Sequence, residues 1–129
     1  MFCLAFITVL IFQTIASSPD NCTTIACDTC KDELDYSSTS LDADASTDVI
    51  ATIKRWKPLE ETDCYSDLRK FLCGSYLPRC GDEAKPCNAL CVGARDGCSP
   101  IMERANYSWP ERFDCDTFSS SPQNYSVCV

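Results

Sequence analysis

The cysteine spacing between Cys64 and Cys115 constrains this chain more than any other feature. Seven cysteines fall in that stretch, at steps of 9, 7, 7, 4, 7 and 17 residues. Steps of 4 and 7 return a side chain to the same face of an α-helix. Cys87, Cys91 and Cys98 therefore project the same way from one helix and its end. They cannot bridge one another along the helix axis, because a disulfide needs Cα atoms within about 7 Å and suitably directed. Each must reach another segment, which predicts a helix stapled to several neighbours. Disulfide scaffolds are more often loop-rich than helical, so the spacing points to a mainly α, disulfide-rich domain.

A chain of 129 residues is one domain by size. Residues 1–18 read as a signal peptide. The run MFCLAFITVLIFQTIA is followed by small residues, with cleavage after Ala16 or Ser18. The apolar run is short for the roughly 20 residues of a membrane span. No second such run follows, which predicts a secreted domain over 19–129 without a membrane span. Cys3 leaves with the signal, so eleven of the twelve cysteines remain, a density typical of secreted scaffolds. Eleven is odd, and one thiol is left over. Sequons at Asn21, Asn106 and Asn124 are candidate glycosylation sites and agree with export.

The net charge of −8 is placed unevenly. Residues 20–48 hold eight acids and one lysine, whereas the rest of the chain is nearly balanced. There is no basic face to neutralise phosphates, which argues against nucleic acid as a partner. No histidine is present, so a Ser-His-Asp or Cys-His nucleophile and a His-containing zinc site are both excluded. Cys27 and Cys30 form a CxxC, but an oxidising compartment with partners for the other cysteines speaks against a Cys₄ zinc site. Eight of the nineteen acids lie in the polar arm, and the acids read as a solvated face, not as a carboxylate pair across a cleft. The expectation is a non-enzyme without cofactor or metal.

In chain order, residues 21–30 read as an extended arm or short strand, and residues 31–47 as a mobile surface loop. Ser46 or Thr47 reads as a helix N-cap, with Val49, Ile50, Ile53 and Trp56 at helical spacing and Pro58 as terminator. Glu60 to Tyr76 reads as a second helix, its apolar stripe being Cys64, Leu68, Phe71 and Leu72. Lys57, Arg69 and Lys70 fall off that stripe. Gly81 to Lys85 is a charged loop. A third helix spans Cys87 to Asp96 with Gly97 past its end. Ser99-Pro100 then opens a short fourth helix from Ile101 to about Ala105. Core packing is the simplest role for Trp56 and Leu59.

The segments FLCGSYLPRC, PCNALCVGARDGCSPIM and YSWPERFDC, with these cysteine steps, resemble the cysteine-rich domain of Frizzled receptors and secreted Frizzled-related proteins. The likeness extends over about residues 22–129. It implies a bundle of about four helices with a small N-terminal β element. It also implies the pairs Cys22–Cys80, Cys30–Cys73, Cys64–Cys98, Cys87–Cys128 and Cys91–Cys115, leaving Cys27 unpaired. The acids near Cys27 (Asp28, Asp32 and Glu33) raise a thiol pKa and slow oxidation, which predicts a mixture of monomer and disulfide dimer.

The resemblance further implies binding of a Wnt-type lipidated protein or another fatty-acyl ligand in an apolar groove. Its positions here are Trp56, Pro58, Leu59, Thr62, Lys70, Tyr107 and Val129. Trp56, Pro58, Leu59 and Tyr107 keep the apolar or aromatic character of the family, while Thr62, Lys70 and Ala105 depart from it. A glycan on Asn106 would stand at the groove edge. The alternative is a structural or adhesion module, or a receptor ectodomain fragment, using the same fold as a protein–protein surface.

Overall fold

The computed structural model describes residues 22–25, 28–81 and 86–118. The expected signal peptide over residues 1–18 and Asn21, Cys27, Asn124, Cys128 and Val129 lie outside the described residues, as do residues 82–85 of the expected charged loop. The elements are β1 (Thr23–Thr24), α1 (Asp28–Lys31), β2 (Ser38–Thr39), α2 (Ala43–Lys54), α3 (Lys57–Glu60), α4 (Leu68–Tyr76) and α5 (Asn88–Arg104). Two 3₁₀ turns follow, over Glu111–Phe113 and Cys115–Thr117. The protein is thus mainly α with one small sheet, the architecture that the spacing and the resemblance predict.

The N-terminal arm is more structured than its composition suggests. β1 and β2 pair antiparallel, Thr23 opposite Thr39 and Thr24 opposite Ser38. Thr39 also bridges to Arg79. Its side chain is buried, and its hydroxyl donates to the Pro78 carbonyl at 2.8 Å, so the burial leaves no donor unpaired. Leu34 is buried, and the Tyr36 hydroxyl donates to the Leu77 carbonyl at 2.6 Å. Residues 31–47 are therefore not simply the surface loop that their polarity predicts. A few well-placed side chains anchor the segment to the end of α4, while Asp32, Asp35, Asp42 and Asp44 are exposed.

Three helix boundaries differ from the sequence-based expectation. The N-cap of α2 is Asp42, not Ser46 or Thr47: its carboxylate accepts from the Ala45 amide at 2.7 Å. Thr47 lies inside the helix and donates back to the Ala43 carbonyl at 2.9 Å. A carboxylate at the start of a helix is the stronger cap because it also meets the positive end of the helix dipole. Ile50 and Ile53 then form the buried face of α2.

The segment Glu60–Tyr76 is not one helix. Pro58 sits in the first turn of α3, where its missing N–H costs nothing, and α3 is a single turn. The Thr62 hydroxyl closes that turn on the Leu59 carbonyl at 2.6 Å. Asp63 then adopts a left-handed φ of 52°, and the chain re-enters a helix only at Leu68. Leu68, Phe71 and Leu72 still form one buried stripe, but Cys64 lies outside the helix.

The third and fourth expected helices are one. α5 runs unbroken through Gly97 and Pro100. Pro100 removes one ladder hydrogen bond, yet bridges from Cys91 and Cys98 tie the helix down at two points ahead of it. Gly97 is not a terminator but a clearance: a Cβ there would overlap the Cys64 carbonyl oxygen.

α4 is the centre of the packing, contacting α1, α2 and α5, and α5 in turn contacts the second 3₁₀ turn. Phe71, Leu72, Cys73, Leu77, Cys91, Ala94 and Cys98 are all 0% exposed. Burying a side chain of Phe or Leu size contributes about 1.5–3 kcal/mol.

Four disulfides join the described residues: Cys22–Cys80, Cys30–Cys73, Cys64–Cys98 and Cys91–Cys115, with Cα separations of 5.7, 5.6, 5.0 and 5.5 Å. They join the residues that the resemblance pairs. Cys87 is also disulfide-bonded.

Candidate ligand-binding surface

The surface is built on an aromatic cluster. Phe113 is its hub, with ring centroids at 4.9 Å from Phe71, 5.4 Å from Tyr76, 5.8 Å from Trp56 and 5.9 Å from Trp109. Trp56 meets Trp109 edge-on at 6.4 Å, and Trp109 stacks on Phe71 at 5.9 Å. Such offset and edge contacts add about 0.5–1.5 kcal/mol per pair beyond area burial. The Trp109 indole N–H donates to the Phe113 carbonyl at 2.8 Å, so its ring orientation is set. The Arg112 guanidinium lies 4.2 Å from the centre of the Tyr76 ring, a cation–π contact at the edge of the cluster.

Of the positions singled out from the sequence, Trp56 belongs to this cluster. Trp56 and Leu59 are half-buried and pack on the core, so each has one face inward and one outward. Pro58 and Thr62 are exposed and Lys70 is half-buried. The α3 turn carries Trp56 to Thr62, and Arg69 of α4 clamps it through a 2.7 Å ion pair with Glu60. The hydrogen bonds that Arg69 donates to Glu60 are the main reason that its guanidinium is held above its ordinary pKa. Lys70 follows on the same helix, next to Phe71.

Tyr107 comes from a separate segment. It is 68% exposed, the one large apolar side chain so exposed among the described residues. The end of α5 places it. Asn106 takes a left-handed φ of 63°. Its amide donates to the Glu103 carbonyl at 3.0 Å, and the Tyr107 amide donates to the Met102 carbonyl at 2.8 Å. This is a Schellman cap with asparagine in the left-handed position. Two residues on, Trp109 meets Trp56. The aromatic contact thereby joins the segment that carries Tyr107 to the turn that carries Trp56 and Leu59.

Trp109 and Arg112 were not singled out from the sequence as parts of this surface. The signal available was the aromatic and cationic density of WPERF, which spacing rules do not register. Among the described residues, no group of three or more Cys, Asp or Glu is disposed to hold a metal. No helix there is long and apolar enough to cross a membrane.

The helical bundle, its bridges and its aromatic cluster define a cysteine-rich domain of the disulfide-scaffold class. Residues 22–122 match the Fz domain, and the chain belongs to that family. It is 33% identical over 117 residues to Frizzled-4 of Drosophila melanogaster, covering 84% of this chain and 16% of the relative. It is 33% identical over 86 residues to secreted frizzled-related protein 2 of Gallus gallus, covering 64% of this chain and 28% of the relative. It is 43% identical over 72 residues to secreted frizzled-related protein 4 of Macaca mulatta, covering 52% of this chain and 21% of the relative. The chain therefore spans less than a third of the length of these relatives.

Proposed function

We propose that this chain is a secreted, non-catalytic binding module that takes a Wnt-type lipidated protein or another fatty-acyl ligand and so modulates Wnt signalling. The observation that carries this reading is the exposure of Tyr107, two residues before the Trp109 that meets Trp56. A tyrosine held clear of its own core by a fixed helix cap leaves apolar surface for a partner to cover. Leu59 and Pro58 extend that surface along α3, while Thr62 and Lys70 form its polar margin. Burial of about ten methylenes of an acyl chain supplies roughly 8 kcal/mol. That is about two thirds of the roughly 12 kcal/mol of a nanomolar complex, before ordering costs. The polar margin suits the protein part of a lipidated ligand better than the chain itself.

The second reading is a protein–protein module without lipid binding. It is favoured by the contacts of Trp56 with Trp109 and Phe113, which fill part of the surface from within. Interferometry of the secreted domain against an acylated Wnt and its unacylated mutant separates the two. Binding to the acylated form only supports the first, equal binding to both supports the second, and binding to neither removes Wnt as the ligand. N-terminal sequencing of the secreted protein tests cleavage after Ala16 or Ser18.

A further inference from the structure

We infer that Asn106 carries an N-linked glycan whose occupancy controls access to the exposed face of Tyr107. The control of ligand binding rests on the reading of Tyr107 as ligand surface; the glycan and the shielding do not.

Asn106, Tyr107 and Ser108 form a complete acceptor sequon, with no proline in the middle position. All three residues are exposed. The hydrogen bonds that place Asn106 come from its backbone, through the cap on α5. The exposed Asn106 side chain makes no hydrogen bond to another described residue, so its amide is free to point into solvent. The left-handed conformation suits asparagine better than other residues that have a Cβ. One residue thus serves as cap and as acceptor, and the folded domain accommodates a glycan there without displacing a packed group.

The reaction balances without a redox partner. The Asn106 side-chain nitrogen Nδ2 forms a bond to the anomeric carbon of a lipid-pyrophosphate-linked oligosaccharide. The carbon–oxygen bond to the pyrophosphate breaks, the lipid pyrophosphate leaves with that electron pair, and the amide loses one proton. The donor and its transferase belong to the secretory pathway.

The consequence follows from adjacency. The cap fixes the backbone at Asn106 and Tyr107, so the first sugar is attached one residue from the one large apolar side chain so exposed among the described residues. A branched, hydrated oligosaccharide at that point competes for the solvent volume over the Tyr107 ring. The domain then exists in an occupied form with a covered ring and an unoccupied form with an open one.

The test uses the full chain expressed in a secreting eukaryotic cell, as wild type, Ser108→Ala and Ser108→Thr. Both variants keep Asn106, and with it the cap. Peptide mapping with and without enzymatic deglycosylation reads occupancy at Asn106, and tetranitromethane nitration reads access to Tyr107. We expect glycan at Asn106 in the wild type and Ser108→Thr, none in Ser108→Ala, and nitration of Tyr107 several-fold slower in the glycosylated chain. An unmodified Asn106 in the exported wild type overturns the inference, as does a chain that never enters the secretory pathway. Equal nitration of the glycosylated and unglycosylated forms also overturns it. Slower nitration with unchanged binding of an acylated Wnt supports the shielding and removes Tyr107 from the ligand surface. Those two readouts therefore fail separately.

Discussion

Gly97 of α5 lies so close to the backbone of Cys64 that a Cβ at position 97 would overlap the Cys64 carbonyl oxygen, and the next residue, Cys98, is bonded to Cys64 itself. The disulfide and the glycine are one device. The bridge draws two backbones together, and the missing side chain allows the approach. Gly97→Ala should cost about 1–3 kcal/mol as overpacking, reduced by the gain of up to about 1 kcal/mol in helix propensity. Gly93→Ala should cost less, because its Cβ meets the far end of the Tyr65 ring, which can rotate away. Thermal unfolding of both variants should place Gly97→Ala below Gly93→Ala; the reverse order would show that the Cys64 segment yields.

The buried bridge Cys30–Cys73 ties α1 to α4 and closes a separation of 43 residues. Removing it by the double change to Ala should destabilise the domain by about 2–4 kcal/mol, mainly through the entropy of the unfolded chain. Peptide mapping under non-reducing conditions should recover the four bridges of the described residues. Recovery of Cys27 joined to Cys73 would shift the register of the N-terminal arm.

Phe113 touches four aromatic rings and is 1% exposed. Phe113→Ala should cost about 3–5 kcal/mol. A loss of this size approaches the whole stability of a small domain. The secreted yield should fall sharply, and a yield equal to wild type would mean that the cluster closes over the cavity.

Tyr107→Ala and Leu59→Glu should part company. Tyr107 is exposed, so its loss should change stability by about 0.5 kcal/mol or less. Its loss should nevertheless weaken acyl-ligand binding. Leu59 is half-buried against the core, so the charge should lower both stability and binding. Secreted yield, melting temperature and ligand affinity measured on the same preparations check this. Unchanged affinity in Tyr107→Ala would take that ring out of the site.

Burial, and more weakly the Asp67 carboxylate, raise the pKa of the Tyr65 phenol above its ordinary value of 10.0. The folded state therefore favours the neutral ring. Its contribution to stability is complete below about pH 10 and is lost as pH rises through the higher folded value. Titration of phenolate absorbance, with Tyr65→Phe as the difference reference, should show a late-titrating group. Asp67→Asn should lower its midpoint only part of the way, because burial is the larger cause.

The regular parts of the fold were legible where one local signal dominated. The 4 and 7 steps of Cys87, Cys91 and Cys98 marked a helix with outward bridges. The stripe of Leu68, Phe71 and Leu72 marked the buried face of α4. Ends of helices were less legible, because several residues competed for each role. Ser46, Thr47 and Asp42 are all acceptable caps, and only the folded chain shows that Asp42 takes the Ala45 amide.

By itself, the sequence determined a histidine-free, cysteine-dense domain with an acidic arm and a helix that must be stapled from several sides. These properties follow from residue type and spacing, which act within a turn or two of chain. Only the tertiary structure decided that Gly97 and Pro100 lie inside one continuous helix, since a helix breaker yields when bridges and packing hold its flanks. Only it placed Trp109 against Trp56, residues 53 positions apart, and so brought the segment of Tyr107 to the turn of Leu59. Contacts at that separation depend on how the bundle closes, and no local propensity encodes them.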